Sequence, residues 1–215
     1  MAQLFPKWTN TLPSIIFGGL VSLIVVITFS FWYWGSPEFT DVGYAPVQPI
    51  PYSHKFHAGE LEMDCRYCHT SVDKSAFAGV PPTQTCMNCH TAVKKDSTNL
   101  RMVVSSWADG QPIEWIRVHK SPDYVYFDHS AHVNVGVGCS SCHGDVASME
   151  IVSQEKSLSM GWCLDCHRNP EMHLRPMDQL TNTQWIPPDD QFSYGSWMVN
   201  ELDITPPTDC SGCHR

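Results

Sequence analysis

"YSHKFHAGELEMDCRYCHT", residues 52–70, places three histidines and two cysteines in nineteen positions. His54, His57, Cys65, Cys68 and His69 all carry metal-ligating atoms. The same grouping recurs along the chain. The ten cysteines fall into five C-x-x-C pairs: Cys65/Cys68, Cys86/Cys89, Cys139/Cys142, Cys163/Cys166 and Cys210/Cys213. Each pair is followed at once by a histidine: His69, His90, His143, His167 and His214.

A disulfide scaffold and structural zinc both use paired cysteines, but neither needs the histidine. Histidine is 11 of 215 residues, so five hits in five by chance has a probability on the order of 10⁻⁷. C-x-x-C-H is the attachment motif of c-type haem. The two thiols form thioethers to the porphyrin, and the adjacent imidazole reaches the iron from the proximal side. The sequence thus predicts five covalent haems c, with the five motif histidines as proximal iron ligands.

Length allows one or two domains. Lys+Arg is 13 and Asp+Glu 22, a net charge of −9 that haem propionates would deepen. No basic run is present, which argues against nucleic-acid binding.

From Trp8 to Pro37 no residue is charged. "SIIFGGLVSLIVVITFSFWYW", residues 14–34, matches the roughly 20 apolar residues needed to span a bilayer. Phe31, Trp32, Tyr33 and Trp34 suit a membrane interface at its far end. A cleaved signal would have a shorter apolar core and an A-x-A-like site, and "FWYWGSPEF" has none. The expectation is an uncleaved transmembrane helix over 14–34, with residues 1–13 cytoplasmic. Lys7 before the helix, and Glu38 and Asp41 after it, agree with that orientation. Covalent haem is assembled outside the cytoplasm, which places residues 38–215 on the extracytoplasmic side. Gly18, Gly19 and Ser22 would permit close contact with another membrane helix.

Residues 35–51, rich in proline, read as a linker. Residues 52–215 read as a pentahaem domain, with a two-haem block over about 52–95 and a three-haem block over about 119–215. Such haem density leaves the porphyrins as the core, wrapped by loops and short helices, with little sheet. In "DSTNLRMVVSSWADG" Leu100, Val103, Val104 and Trp107 recur at helical spacing, with Asp96 or Ser97 as cap and Gly110 as stop. "PIEWIRVHKSPDYVYFDH" suggests two extended runs about Ser121-Pro122-Asp123. The long stretch 168–209 is expected to wrap the surface or a partner.

Six histidines remain as distal candidates: His54, His57, His119, His129, His132 and His173. Four form H-x-x-H pairs upstream of a motif, His54/His57 before the first and His129/His132 before the third. Met160, Met172 and Met177 are the competing distal ligands. If every iron is closed on both sides, chemistry at haem is excluded and electron transfer remains. A multihaem reductase would need an open haem; a stand-alone quinol dehydrogenase would share the anchor and the haem count.

The two H-x-x-H blocks resemble units of the cytochrome c3/c7 kind. That resemblance implies that His54 closes the His69 haem and His129 the His143 haem, the second histidine of each pair serving another haem. Over the whole chain, "PYSHKFHAGELEMDCRYCHTSVDKSAFAGVPPTQTCMNCH" (51–90), "PIEWIRVHKSPDYVYFDHSAHVNVGVGCSSCHG" (112–144) and "MGWCLDCHRNPEMHLRP" (160–176) resemble the pentahaem cytochrome c subunit of alternative complex III. The resemblance implies an electron-transfer subunit of a bacterial inner-membrane quinol:acceptor oxidoreductase. Its partners would be an integral membrane quinol-binding subunit, an iron–sulfur subunit and a monohaem cytochrome c. Electrons would leave to a soluble carrier or terminal oxidase on the periplasmic side.

Overall fold

A computed structural model describes residues 4–214. Met1 to Gln3 of the expected cytoplasmic N-terminus, and Arg215, lie outside the described residues. The chain divides into two compact units, one ending at Thr40 and the other starting at Asp41.

The first unit is built on α1 (Leu12–Trp34). Pro13 suits the first turn, where a missing N–H costs no helical bond. The helix then runs without a charged residue to Gly35, and near its end Phe29 and Tyr33 stack on one face. It is long and apolar enough to cross a membrane once. It starts two residues before the expected span. A short α2 (Pro37–Thr40) follows.

In the second unit the five C-x-x-C-H motifs each occupy a helical turn. They lie on α3 (Cys65–Cys68), α4 (Thr83–His90), α7 (Cys139–His143), α8 (Met160–Arg168) and α10 (Cys210–Cys213). On one turn, positions i and i+3 share a face, so both thiols point the same way. Side-chain caps start three of these helices: Asp64 accepts from Arg66 N–H, Ser159 from Trp162 N–H and Asp209 from Gly212 N–H. The remaining helices are α5 (Arg101–Asp109), α6 (His129–Val133) and α9 (Gln191–Glu201).

α5 follows a 3-10 turn over Thr98–Leu100 that Ser97 caps, and it ends at Gly110 in the left-handed conformation. Val103 and Ser106 form its buried face, and Ser106 Oγ meets Thr83 Oγ1 of α4 at 2.7 Å.

No β-strand forms among the described residues, and two isolated bridges, Val125–His214 and Val137–Leu174, are all the pairing that appears. The expected extended runs over 112–129 are irregular rather than laddered. Their backbone groups bond elsewhere: Gln48 takes both polar groups of Ile116, and Tyr126 N–H donates to Cys213. From Asp41 onward the expected linker is strapped to this unit. Gly43 N–H donates to Gln154, Gln154 N–H donates to Tyr44, and Ile50 is buried.

The apolar core is small. Among the described residues of the unit, the buried hydrophobic side chains are Ile50, Val72, Val103, Leu174, Leu180 and Met198. Three of these six lie in the stretch 168–209, so that stretch supplies core rather than only wrapping the surface. Arg175 crosses this region. Its guanidinium donates to Asn182 C=O and to the hydroxyls of Ser140 and Ser141, and it stacks on Trp185 at 4.7 Å. Gln191 ties α9 down by donating to Glu171 C=O and Leu174 C=O.

Candidate haem-attachment and axial-ligand sites

The H-x-x-H pairs sit on single turns, a π-helical turn over Lys55–Glu60 that begins just after His54, and α6. Each pair therefore projects two imidazoles from one short piece of backbone. The rings meet motif histidines in a repeated pattern. His57 and His90 have ring centroids 6.3 Å apart, His129 and His143 6.3 Å, and His132 and His167 6.1 Å. The His129 and His143 planes lie within 8° of parallel. His54 lies beside His69, whose charge, after burial, is the largest influence on it.

These separations can be compared with what a metal needs. Metal–imidazole bonds of about 2 Å on each side put two ring centroids about 6 Å apart. The three facing pairs meet that spacing.

In seven histidines the other ring nitrogen is occupied in the same way, whereas His54 Nδ1 is buried without a hydrogen-bond partner. Nδ1 of His57, His69, His90, His129, His132, His167 and His214 lies 2.7–3.1 Å from the carbonyls of Ser53, Gly79, Val93, Ala76, Asp128, Pro207 and Tyr124. A carbonyl can only accept, so Nδ1 carries the proton and donates. Nε2 is left with its lone pair, the tautomer a metal requires. Burial pushes His54 down to about 4 and His143 to about 3, the nearby histidines adding to it. Burial likewise lowers His119 and His132. All four are neutral at ordinary pH, again the ligating form.

The thiols do not converge as structural zinc would need. All ten are free, and no cluster of three or more cysteine, histidine or acidic residues gathers around one point among the described residues. A pair of thiols with a histidine beside it, a half-buried imidazole opposite and a sparse apolar core fits a covalently held porphyrin.

The remaining candidates are placed differently. His119 meets His143 edge-on, with centroids 4.3 Å apart and planes at 81°. That is too close for the two to face each other across one iron. Its Nε2 is buried without a hydrogen-bond partner. His173 is half-buried after the 3-10 turn Pro170–Met172, and no motif histidine lies against its ring among the described residues. His214 packs beside Tyr124. Met160, Met172 and Met177 are 67%, 52% and 48% exposed. One element of the site has no signal in sequence spacing: the carbonyls that hold Nδ1.

Comparison with known proteins agrees with this geometry. Residues 125–215 match the family described as cytochrome c7 and related cytochrome c. The chain is also similar to the multihaem cytochrome c subunit of menaquinone reductase from Nitratidesulfovibrio vulgaris. The two are 31% identical over 176 residues, covering 72% of this chain and 81% of that protein. With motif, imidazole placement and relatives in accord, the chain belongs to the multihaem cytochromes c related to cytochrome c7, the family of that menaquinone reductase subunit, and is an electron-transfer protein carrying covalent c-type haem.

Proposed function

We propose that the chain carries five haems c and relays electrons between a membrane quinone-binding complex and an extracytoplasmic acceptor, as a subunit of the alternative complex III type. Residues 14–34 anchor it in the bacterial inner membrane, with residues 1–13 inside, a tether over 35–51 and the haem domain 52–215 on the periplasmic side. Within that domain the two-haem block is about 52–95 and the three-haem block about 119–215. The partners are an integral membrane quinol-binding subunit, an iron–sulfur subunit and a monohaem cytochrome c, with a soluble carrier or terminal oxidase downstream. Support for a quinone-linked complex comes from the apolar helix, the resemblance of three long stretches, and a relative named as a subunit of menaquinone reductase.

The observation that carries the electron-transfer reading is the facing of imidazoles in pairs. The iron of each bound haem supplies one-electron chemistry between ferric and ferrous states. The protein's part is to close it. His69, His90, His143, His167 and His214 are the proximal ligands. His54, His57, His129 and His132 are the distal ligands toward the first, second, third and fourth sites. His119 and His173 are the remaining distal candidates, and His119 lies against the third motif rather than the fifth. Backbone carbonyls at Nδ1 of His57, His69, His90, His129, His132, His167 and His214 hold those rings at a fixed rotation and leave the Nε2 lone pair of the neutral ring free for a metal. A closed site binds no substrate, so the chain acts as a wire and not as a catalyst.

Solubilised membranes test this reading. The chain should co-purify with a polytopic subunit and an iron–sulfur subunit, and quinol should reduce its haem only in that assembly. Robust quinol oxidation by the isolated chain would overturn the complex-dependent reading in favour of a stand-alone quinol dehydrogenase.

A further inference from the structure

Sequence order and spatial order of the five motifs differ. The first motif touches the second: Asn88 Nδ2, inside the second motif, donates to Tyr67 OH, inside the first, at 3.3 Å. The first also touches the third. The residues just after the first motif make that contact, since Ala76 C=O receives His129 Nδ1–H and Asp73 C=O receives Asn134.

The third motif touches the fourth. α6 faces both sites at once, His129 toward His143 and His132 toward His167. The fourth touches the fifth. His167 Nδ1 donates to Pro207 C=O, and the Pro207 side chain packs against Gly212 within the fifth motif. In this set of contacts the second and fifth motifs each have one neighbour; the first, third and fourth have two.

Exposure provides an independent observation. Of the ten cysteines only Cys89 and Cys210 are exposed, and the other eight are half-buried. Those two belong to the second and fifth motifs, the ends of the contact series.

We infer that the attachment sites form one unbranched path in the order second, first, third, fourth, fifth, and that partner redox centres engage it at the Cys86–His90 turn and at the Cys210–His214 turn. This rests on the reading of five haems in one electron-transfer chain. The first site, carried by the opening stretch 52–70, is interior and hands electrons on to both sides. Each hop passes one electron, oxidising the donor site as it reduces its neighbour, with no bond made and no proton required. The two partners are one-electron redox centres, a donor at one end and an acceptor at the other.

The test uses the full chain in its native membrane assembly. Intact mass first counts the haems, and a count below five would overturn the five-haem reading by itself. A density map of the assembly then places the five irons. The expected nearest-neighbour order is second–first–third–fourth–fifth, with partner cofactors closest to the second and fifth. A map with the first, third or fourth site at an end, or with a partner centre nearest to one of them, would overturn the inference while leaving the haem count intact. Potentiometry gives a second readout. His57→Met should raise the midpoint of the second haem and move that of one other haem; His54→Met should raise the first and move two others. The reverse pattern would overturn the order.

Discussion

The rings of His129 and His143 lie 8° from parallel with centroids 6.3 Å apart, though the residues are fourteen positions apart in the chain. α6 starts at His129 because Asp128 caps it, accepting from Ser130 N–H at 2.8 Å. Ala76 C=O then fixes the ring through Nδ1. A side chain placed by a cap, a helix turn and a distant carbonyl is built to hold one metal bond. His129→Ala should therefore open one iron. The ferric protein should gain a high-spin signal and the reduced protein should bind carbon monoxide at about one haem. His129→Met should keep the iron low-spin and raise that haem's potential. Five low-spin haems after His129→Ala would remove His129 from the ligand set.

Covalent attachment gives a separate prediction. Thioethers survive denaturation, whereas axial bonds do not. Protein unfolded in acid and extracted with organic solvent should keep its colour and exceed the polypeptide mass by five haems. Cys210→Ala with Cys213→Ala should lower the count by one and leave the other four in place, because the C-terminal motif lies at the surface with Cys210 exposed.

The parts of the site legible in sequence are those set by short spacing. C-x-x-C-H and H-x-x-H each fit on one helical turn, so their geometry follows from local backbone alone. The Gly110 stop of α5 is legible for the same reason. What escaped depends on contacts between distant segments. Arg175 reaches Ser140, 35 positions away, and Gln48 reaches Ile116, 68 positions away. The region 112–129 has strand-like composition yet forms no ladder, because parts of its backbone serve Gln48, Cys213 and the His214 imidazole instead of a neighbouring strand. The edge-on approach of His119 to His143 has no sequence signature either, since 24 residues separate them.

Methionine ligation is tested by spectra. Imidazoles already stand opposite the second, third and fourth motif histidines at the spacing a metal needs, which leaves no place there for Met160, Met172 or Met177. Replacing each in turn by Leu should leave the low-spin absorption and all midpoint potentials unchanged. Loss of a high-potential component in one variant would assign that methionine to an iron.

Gly138 caps α7 where a Cβ would run into the Arg175 guanidinium. That group cannot simply swing away, because it is held by Asn182, Ser140 and Ser141 and stacked on Trp185. Overpacking of this kind costs about 1–3 kcal/mol. Gly138→Ala should lower the midpoint of thermal unfolding by several degrees, while Gly18→Ala, with open space around it, should not. Adding Arg175→Ala to Gly138→Ala should not restore stability fully, since it removes the hydrogen bonds that anchor the third motif. Equal stability of Gly138→Ala and the parent would show that this contact is not tight.

Asp64 governs the start of the first motif, and its charge gives a pH signature. Its carboxylate accepts from Arg66 Nε and Nη2 at 2.9 Å each, from Arg66 N–H at 2.8 Å and from Thr181 Oγ1 at 3.1 Å. The Arg66 side chain is the largest cause holding the carboxyl down at about 2. A carboxyl depressed on folding binds its proton more readily when unfolded. Its stabilisation is therefore complete above the unfolded value near 4 and is lost as pH falls through about 4 to about 2. The side chain is 42% exposed, so solvent screens the ion pair and most of the benefit is the cap, about 1 kcal/mol. Asp64→Asn keeps a capping oxygen but has no charge to lose. Other carboxylates and the propionates titrate alike in both proteins, so the difference between the two melting curves isolates this one group. It should be constant from pH 7 to 5 and shrink toward zero by pH 2. A difference that stays unchanged down to pH 2 would show that the charge of Asp64 contributes nothing to the folded first motif.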